Sequence, residues 1–92
     1  MEIEFDPLKS LATLEERGLD MADAWRVFAA SHVTAEDTRF GYPEVRHITV
    51  GYLDNRMVVV VWTKRGHRIR IISFRKANER EQEKFKARLA GP

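Results

Sequence analysis

The chain has no cysteine among its 92 residues, which excludes a disulfide framework, a thiolate nucleophile and a cysteine-ligated zinc site. Its longest apolar run, Met57–Trp62, has the length of one buried strand, whereas a membrane-spanning helix needs about 18 apolar residues or more. The five glycines are isolated from one another, so the chain has no glycine-rich phosphate loop. These absences argue against a disulfide scaffold, a membrane protein and a nucleotide-dependent enzyme.

Length and composition indicate a globular protein. A chain of 92 residues suffices for one compact domain, and we predict a single domain over residues 1–92. Apolar residues make up 43% and charged residues 33%, a balance that excludes an intrinsically disordered chain. The first four residues include two acids, whereas a secretory signal begins with basic residues and continues with apolar ones. The sequence therefore predicts a cytoplasmic protein without membrane association.

The net charge of +2 is unevenly distributed along the chain. Residues 1–37 contain nine acidic and three basic residues, whereas residues 38–92 contain thirteen basic and five acidic ones. The two segments therefore carry net charges of −6 and +8. This asymmetry favours a polyanionic partner for the basic segment, with a solvated charged surface as the alternative.

The first thirty residues predict a short strand followed by two helices. Asp6 and Pro7 mark a helix start, because Asp accepts backbone N–H bonds and Pro tolerates the first helical position. Gly18 predicts the end of this helix. Its expected apolar stripe comprises Leu8, Leu11, Ala12 and Leu14. A second helix is predicted after Asp20, with Trp25 on its buried face.

Residues 47–77 carry the clearest strand signals. We predict three strands, at 47–53, 56–63 and 67–74. Asp54 and Asn55 form a plausible two-residue hairpin turn, since both residue types tolerate positive φ. A further short strand is expected near residues 32–34.

The last predicted element is a helix. It begins at Asn78, and Glu81 three residues later completes a capping box. Phe85 and Leu89 are spaced to dock this helix on the sheet. The predicted fold class is therefore α+β, with two N-terminal helices, an antiparallel β-sheet of three to four strands and a C-terminal helix.

The most basic stretch of the chain lies on the third predicted strand. Residues 64–76 contain six basic residues and no acid. Strand alternation places Arg68 and Arg70 on one face, with Phe74 further along it. Two neighbouring guanidinium groups suit a phosphate, whose oxygens match their forked donors. The alternative is that these arginines pair with carboxylates of the acidic segment.

The histidines and glycines give no metal or cofactor motif. No two histidines have metal-ligand spacing, so we predict neither a metal site nor a cofactor. His47 and His67 remain candidates for a general base, because an imidazole titrates near physiological pH.

Five stretches of the sequence resemble the motifs of a known protein family. They are Phe5–Lys9, Ala24–Phe28, Glu44–Arg46, Thr63–Gly66 and Arg70–Ala77. In order and spacing, these stretches resemble the BrnT family of ribonuclease toxins from type II toxin–antitoxin systems. The last stretch is close to the family signature Arg-Ile-Ile-Ser-Ala-Arg-x-Ala and is the most specific.

The resemblance implies a fold and a function. It implies a RelE-like fold, metal-independent cleavage of RNA, and inhibition of translation and growth. It also implies a cognate antitoxin, a BrnA-like DNA-binding protein, that covers the basic face in a toxin–antitoxin hetero-oligomer.

RNA can be cut by its own 2′-OH, so an enzyme needs a base, cations for the phosphoryl charge and an acid. The predicted catalytic residues are Glu44, Arg46, Arg65, Arg70 and Arg75. The predicted RNA-binding residues are Lys9, His47, Lys64, His67, Arg68 and Lys76. The base stays open among Glu44, His47 and His67, with Lys9 or Lys64 as acid or further phosphate ligand. Arg70 or Arg75 pairing with Asp6 or Glu79 to hold the fold is the structural alternative.

The sequence departs from the family pattern in several places. Thr13 or Leu14 stands where the family commonly has an asparagine, and Glu16-Arg17-Gly18 stands where it has Lys-His-Gly. Arg17 stands where the family commonly has a histidine, and Phe74 replaces the alanine of the signature. The missing histidine favours a second hypothesis, a non-catalytic module that binds RNA or an acidic protein through the same basic face. This module would be an inactive homologue acting in operon control.

Overall fold

The computed structural model describes residues 1–89. In chain order, its elements are β1 (Glu2–Glu4), α1 (Pro7–Arg17), a 3₁₀ turn (Met21–Asp23), α2 (Ala24–Ala29), β2 (His32–Asp37), β3 (Arg46–Leu53), β4 (Arg56–Arg65), β5 (Arg68–Lys76) and α3 (Glu79–Leu89). None of the helices among these residues is long and apolar enough to cross a membrane.

The sheet differs from the predicted antiparallel sheet of three to four strands. It has five strands in the order β1-β5-β4-β3-β2, and it is mixed because β1 pairs with β5 in parallel. The chain opens with a strand, as the residues at its start predicted, but the predicted fold class began with two helices and left this strand out of the sheet. A three-residue strand has almost no periodicity, and the pairing of Glu2 with Arg68 joins distant parts of the chain.

Most of the helix ends and turns that were predicted from local sequence signals agree with the structure. Asp54 and Asn55 have φ of 50° and 66°, which confirms the predicted two-residue turn between β3 and β4. Asp6 caps α1 by accepting from the Leu8 and Lys9 amides. The predicted end of α1 is confirmed by Gly18, whose φ of 69° is left-handed. The turn before β5 falls later than predicted, so β4 extends to Arg65.

The sheet separates two apolar clusters. On the face that we call the helix face, the 3₁₀ turn and α2 pack Met21 and Val27 against Val60 and Phe74. On the opposite face, which we call the α3 face, Leu89 packs with other apolar side chains of β3 and β4. The predicted docking of the last helix through its apolar residues is thus confirmed.

Helix α1 does not bury the apolar stripe that was predicted to face the core. Its buried residues are Ser10 and Thr13, whereas Leu8 is 79% exposed. The helix contacts β5, the strand next to the edge strand β1. Trp25, predicted to lie in the core, is half exposed on α2. Helical spacing predicts which residues share a stripe, but not which side of the helix meets the sheet.

A β-bulge in β5 changes which side chains share a face. Trp62 pairs with Ile71 and the preceding residue of β4 pairs with Ser73, so Ile72 is an extra residue in β5. The alternation shifts there, and Phe74 joins Ile71 in the core of the helix face. The prediction that Phe74 lies on the same face as the first arginines of β5 is therefore wrong.

Candidate active site

The strand register aligns one polar row across the whole sheet. Glu4 is opposite Arg70, Arg70 is opposite Thr63, Thr63 is opposite Arg46 and Arg46 is opposite Asp37. Each of the five strands thus contributes one residue. The row lies on the α3 face, because directly paired residues project to the same side of a sheet.

A cleft of about 200 Å³ lies over the middle of this row, at Arg70, Thr63 and Arg46. Its lining residues are Asp6, Lys9, Glu44, Arg46, Thr63, Arg65, Arg70, Ile71 and Ile72. Five of them are predicted site residues, and they come from α1, the loop before β3, and strands β3, β4 and β5. We call this the arginine cleft.

Two arginines of the cleft are held by carboxylates of this chain. Arg70 Nη1 donates to Glu4 Oε2 at 3.2 Å, and Arg46 Nε donates to Glu44 Oε1 at 3.1 Å. The predicted alternative of intramolecular pairing is therefore present, with Glu4 as the partner of Arg70 in place of Asp6. Each contact uses one of the five N–H donors of a guanidinium, so most donors stay available for an anion.

The burial of these arginines strengthens their electrostatic effect. The side chains of Arg46 and Arg70 are only 25% and 29% exposed, so ions screen them less than they screen a surface charge. Within residues 1–89, Lys9 and Arg65 form no ion pair with a carboxylate. The cleft therefore combines two arginines that carboxylates hold in place with two cationic side chains, Lys9 and Arg65, that no ion pair within residues 1–89 holds.

Hydrogen bonds hold the loop beside the cleft. Thr63 Oγ1 donates to the Val45 carbonyl at 2.6 Å, which ties the loop before β3 to β4. The Arg46 guanidinium carbon lies 3.9 Å from the centre of the Tyr42 ring, a cation–π contact. Glu44 is thereby fixed between two anchored residues.

An ion pair between the buried carboxylate of Asp37 and the exposed side chain of Arg39 closes the end of the polar row. The Arg39 guanidinium donates to both carboxylate oxygens of Asp37, at 2.8 and 3.0 Å. These hydrogen bonds lower the pKa of Asp37 to about 2, from an ordinary value of 3.8. Asp37 thus stays ionised as a structural anion at neutral pH.

Arg75 has a different environment from the arginines of the cleft. Its two terminal nitrogens donate to the two Glu81 oxygens, both at 2.8 Å. Glu81 is also the confirmed capping-box residue of α3, since it accepts from the Asn78 amide. The hydrogen bonds to Arg75 lower the pKa of Glu81, and the same contacts raise the pKa of Arg75. This arginine anchors the start of α3.

The remaining predicted residues lie outside the cleft. His47 is on the helix face, stacked on Trp62 with ring centres 4.3 Å apart. His67 and Arg68 both contact Glu2 at 3.2 Å at the far end of β5. Lys64 lines a separate depression near that end, and Lys76 lines one beside α3.

Several residues of the cleft were not predicted. Asp6 and Thr63 line it, and Thr63 does so through the register of β4. Glu4 does not line the cleft but contacts Arg70, because β1 runs parallel to β5. Tyr42 stands behind Arg46 on an irregular loop. Glu4, Tyr42 and Thr63 have no local motif, and Asp6 was recognised only as a helix start and as a possible partner of Arg70.

Arg17, which stands where the family commonly has a histidine, has a structural contact. Its Nη1 donates to the Phe74 carbonyl at 3.0 Å. Strand β1 pairs only with residues 68–70 of β5, and Arg17 thus provides a hydrogen-bond donor further along this edge. It does not line the arginine cleft.

The fold and the cleft define a class of protein, an α+β protein with an open cationic cleft on one face of its sheet. Such a site suits phosphate groups. Residues 5–81 match the family described as ribonuclease toxin, BrnT, of type II toxin–antitoxin systems, and the chain therefore belongs to this family. No curated protein matches the chain significantly. Family membership implies ribonuclease activity in general terms and an antitoxin protein as partner.

Proposed function

We propose that this chain is an active endoribonuclease toxin that cuts RNA in the arginine cleft without a metal ion. The observation that carries the proposal is the convergence of Lys9, Glu44, Arg46, Arg65 and Arg70 on one cleft from separate elements. Inhibition of translation and growth follows from RNA cleavage in the cytoplasm.

Each residue has a role that its position supports. Arg46 and Arg70 flank Thr63 in the polar row, and they would bind the scissile phosphate from both sides, with Arg65 as a third cation. Glu44 would take the proton of the 2′-OH, whose oxygen then attacks phosphorus. Lys9 would donate a proton to the departing 5′ oxygen. The products are a 2′,3′-cyclic phosphate and a 5′-OH.

The side chains of the described region favour cationic catalysis. Within residues 1–89, no three His, Asp or Glu side chains are grouped so that they could hold a metal ion. Guanidinium groups stay charged at every relevant pH, and they would neutralise the charge that builds up on the phosphoryl oxygens.

We also propose that the antitoxin is BrnA-like, binds DNA and covers the arginine cleft. An acidic segment of this partner would replace the intramolecular contacts of Arg46 and Arg70 with its own carboxylates. The toxin would then be silent in the hetero-oligomer, because the phosphate site is filled.

The test compares two arginines of one strand. Arg68 and Arg70 each contact a β1 carboxylate at 3.2 Å, but only Arg70 lines the cleft. With a defined RNA and EDTA, we expect Arg70→Ala to lower the cleavage rate by about 10²–10³-fold and Arg68→Ala to leave it almost unchanged. Mass spectrometry of the products checks for the cyclic phosphate, and circular dichroism checks both folds.

Two results would contradict the proposal. Equal cleavage by the wild type and Arg70→Ala would place the chemistry elsewhere or in a contaminant. Salt-dependent RNA binding without cleavage, either of free RNA or on ribosomes, would instead support the non-catalytic binding module.

A further inference from the structure

The loop between β2 and β3 exposes an aromatic pair. Phe40 is 65% exposed, and its ring lies 5.6 Å from the Tyr42 ring in an edge-to-face arrangement of 71°. Neither apolar cluster of the described residues includes these two side chains. Burial in the core therefore does not explain why the loop carries two aromatic rings.

These aromatic side chains line a second cleft of about 290 Å³. Glu44 lines this cleft and the arginine cleft, so the two clefts are adjacent. Arg46 also joins them, because its guanidinium stacks on Tyr42 while it lines the arginine cleft. A ligand with a phosphate in the first cleft would place its neighbouring groups beside the aromatic pair.

Ion pairs and hydrogen bonds hold the residues around this second cleft, which we call the aromatic cleft. Its floor includes Asp37, which is buried and held by both hydrogen bonds from Arg39. The Arg39 guanidinium lies 5.7 Å from the Phe40 ring on one side. The same loop is tied to β4 by Thr63. The exposed ring thus stands on a loop held at several points.

We propose that Phe40 and Tyr42 form a stacking site for one unstacked nucleobase of single-stranded RNA, next to the phosphate bound in the arginine cleft. This inference rests on the proposed function and adds the substrate class, an unpaired strand. Splayed bases of single-stranded RNA stack on aromatic and guanidinium planes. The cleft presents two aromatic rings, and the guanidinium groups of Arg39 and Arg46 lie against these rings. A duplex cannot use the site, because its bases are paired and stacked inside the double helix.

The test measures base dependence separately from phosphate binding. The probe is a short 2′-fluoro RNA strand, which lacks the attacking hydroxyl and so stays intact. Fluorescence anisotropy compares this strand with one in which every nucleotide is abasic. We expect the wild type to bind the abasic strand about 10-fold more weakly or worse, and Phe40→Ala to bind both strands alike.

Three further variants sharpen the result. Phe40→Tyr keeps a stacking ring and should restore the base dependence. Trp25→Ala removes another exposed aromatic side chain, which is 53% exposed on α2, and should leave the base dependence unchanged. Arg70→Ala should weaken binding of both strands by the same factor. Tyr42 is left intact because its loss would also release Arg46.

Each contrary outcome is distinguishable from failure of the proposed function. If the wild type binds both strands equally, or if Phe40→Ala keeps the base dependence, the stacking site is disproved while arginine-dependent cleavage can stand. If Trp25→Ala has the same effect as Phe40→Ala, the site lies elsewhere. Absence of any binding to RNA overturns the stacking site as well.

Discussion

The two faces of the sheet are made by the same strands but serve different purposes. On the helix face, the side chains of Val58, Val60 and Phe74 are fully buried beneath α2 and the 3₁₀ turn. On the α3 face, one helix covers only part of the strands, and the open part carries the row from Glu4 to Asp37.

This difference shows how neighbouring residues acquire opposite roles. Arg46 lines the arginine cleft, whereas His47, the next residue, stacks on Trp62 on the other side. In β5 the bulge at Ile72 sends Phe74 into the core and leaves Arg75 on the α3 face beside Glu81. We expect substitutions on the helix face to reduce stability and those in the open part of the α3 face to reduce cleavage.

The largest effect is expected from Phe74→Ala on the helix face. Phe74 is fully buried, and removing a buried phenyl ring costs about 3–5 kcal/mol of the free energy of unfolding. Urea titration measures the loss. Ser73→Ala is the matched control, since this half-buried neighbour lies on the α3 face. A similar loss in both variants would contradict the division between the faces.

A smaller loss is expected from Gly51→Ala on β3. A Cβ atom at Gly51 would lie 2.8 Å from Val27 Cγ1 and 3.3 Å from the Ser31 carbonyl oxygen. Overpacking of this kind costs roughly 1–3 kcal/mol. Gly41→Ala is the control, because a Cβ there meets no atom within 4 Å. In thermal melting, Gly51→Ala should have a lower melting temperature than Gly41→Ala, which would sharpen the contrast between the packed face and the open loop.

His47→Ala separates stability from activity at a predicted site residue. We expect a loss of about 1 kcal/mol from the stack with Trp62 and an unchanged rate of RNA cleavage. The measurement pairs a urea titration with the cleavage assay. If the folded variant no longer cuts RNA, His47 acts in catalysis and the assignment of the two faces is wrong.

Local sequence signals predicted most individual elements. The capping residues Asp6 and Asn78, the left-handed Gly18 and the turn at Asp54 and Asn55 all act through backbone hydrogen bonds or positive φ within a few residues. The strand order and the bulge could not be predicted in this way. They depend on pairing between distant segments and on one extra residue in β5.

The same limit applies to the site. Lys9, Glu44, Arg46, Arg65 and Arg70 were predicted from basic spacing and family-like motifs, and the fold brings them together. The aromatic pair on the loop and the partner of Arg70, Glu4, were not. Their positions follow from the parallel β1–β5 pairing and from an irregular loop, and neither leaves a periodic pattern.

The smallest effect concerns the pH dependence of stability at the end of the polar row. The hydrogen bonds from Arg39 hold the pKa of Asp37 at about 2 in the folded chain, below the ordinary 3.8. A lowered pKa means that the folded state prefers the ionised carboxylate. The stabilisation is therefore complete above about pH 4 and is lost as the pH falls through about 2.

Asp37→Asn removes this titration, so the free energy of unfolding of the variant should fall less steeply than that of the wild type over the same pH range. Urea titrations at several pH values measure the difference between the two proteins, which cancels the contribution of other acids such as Glu81. Arg39→Gln removes the guanidinium that lowers the pKa and should give the same shallower profile. Parallel profiles for all three proteins would show that this ion pair adds no pH-dependent stability, and that the polar row is held by its strands alone.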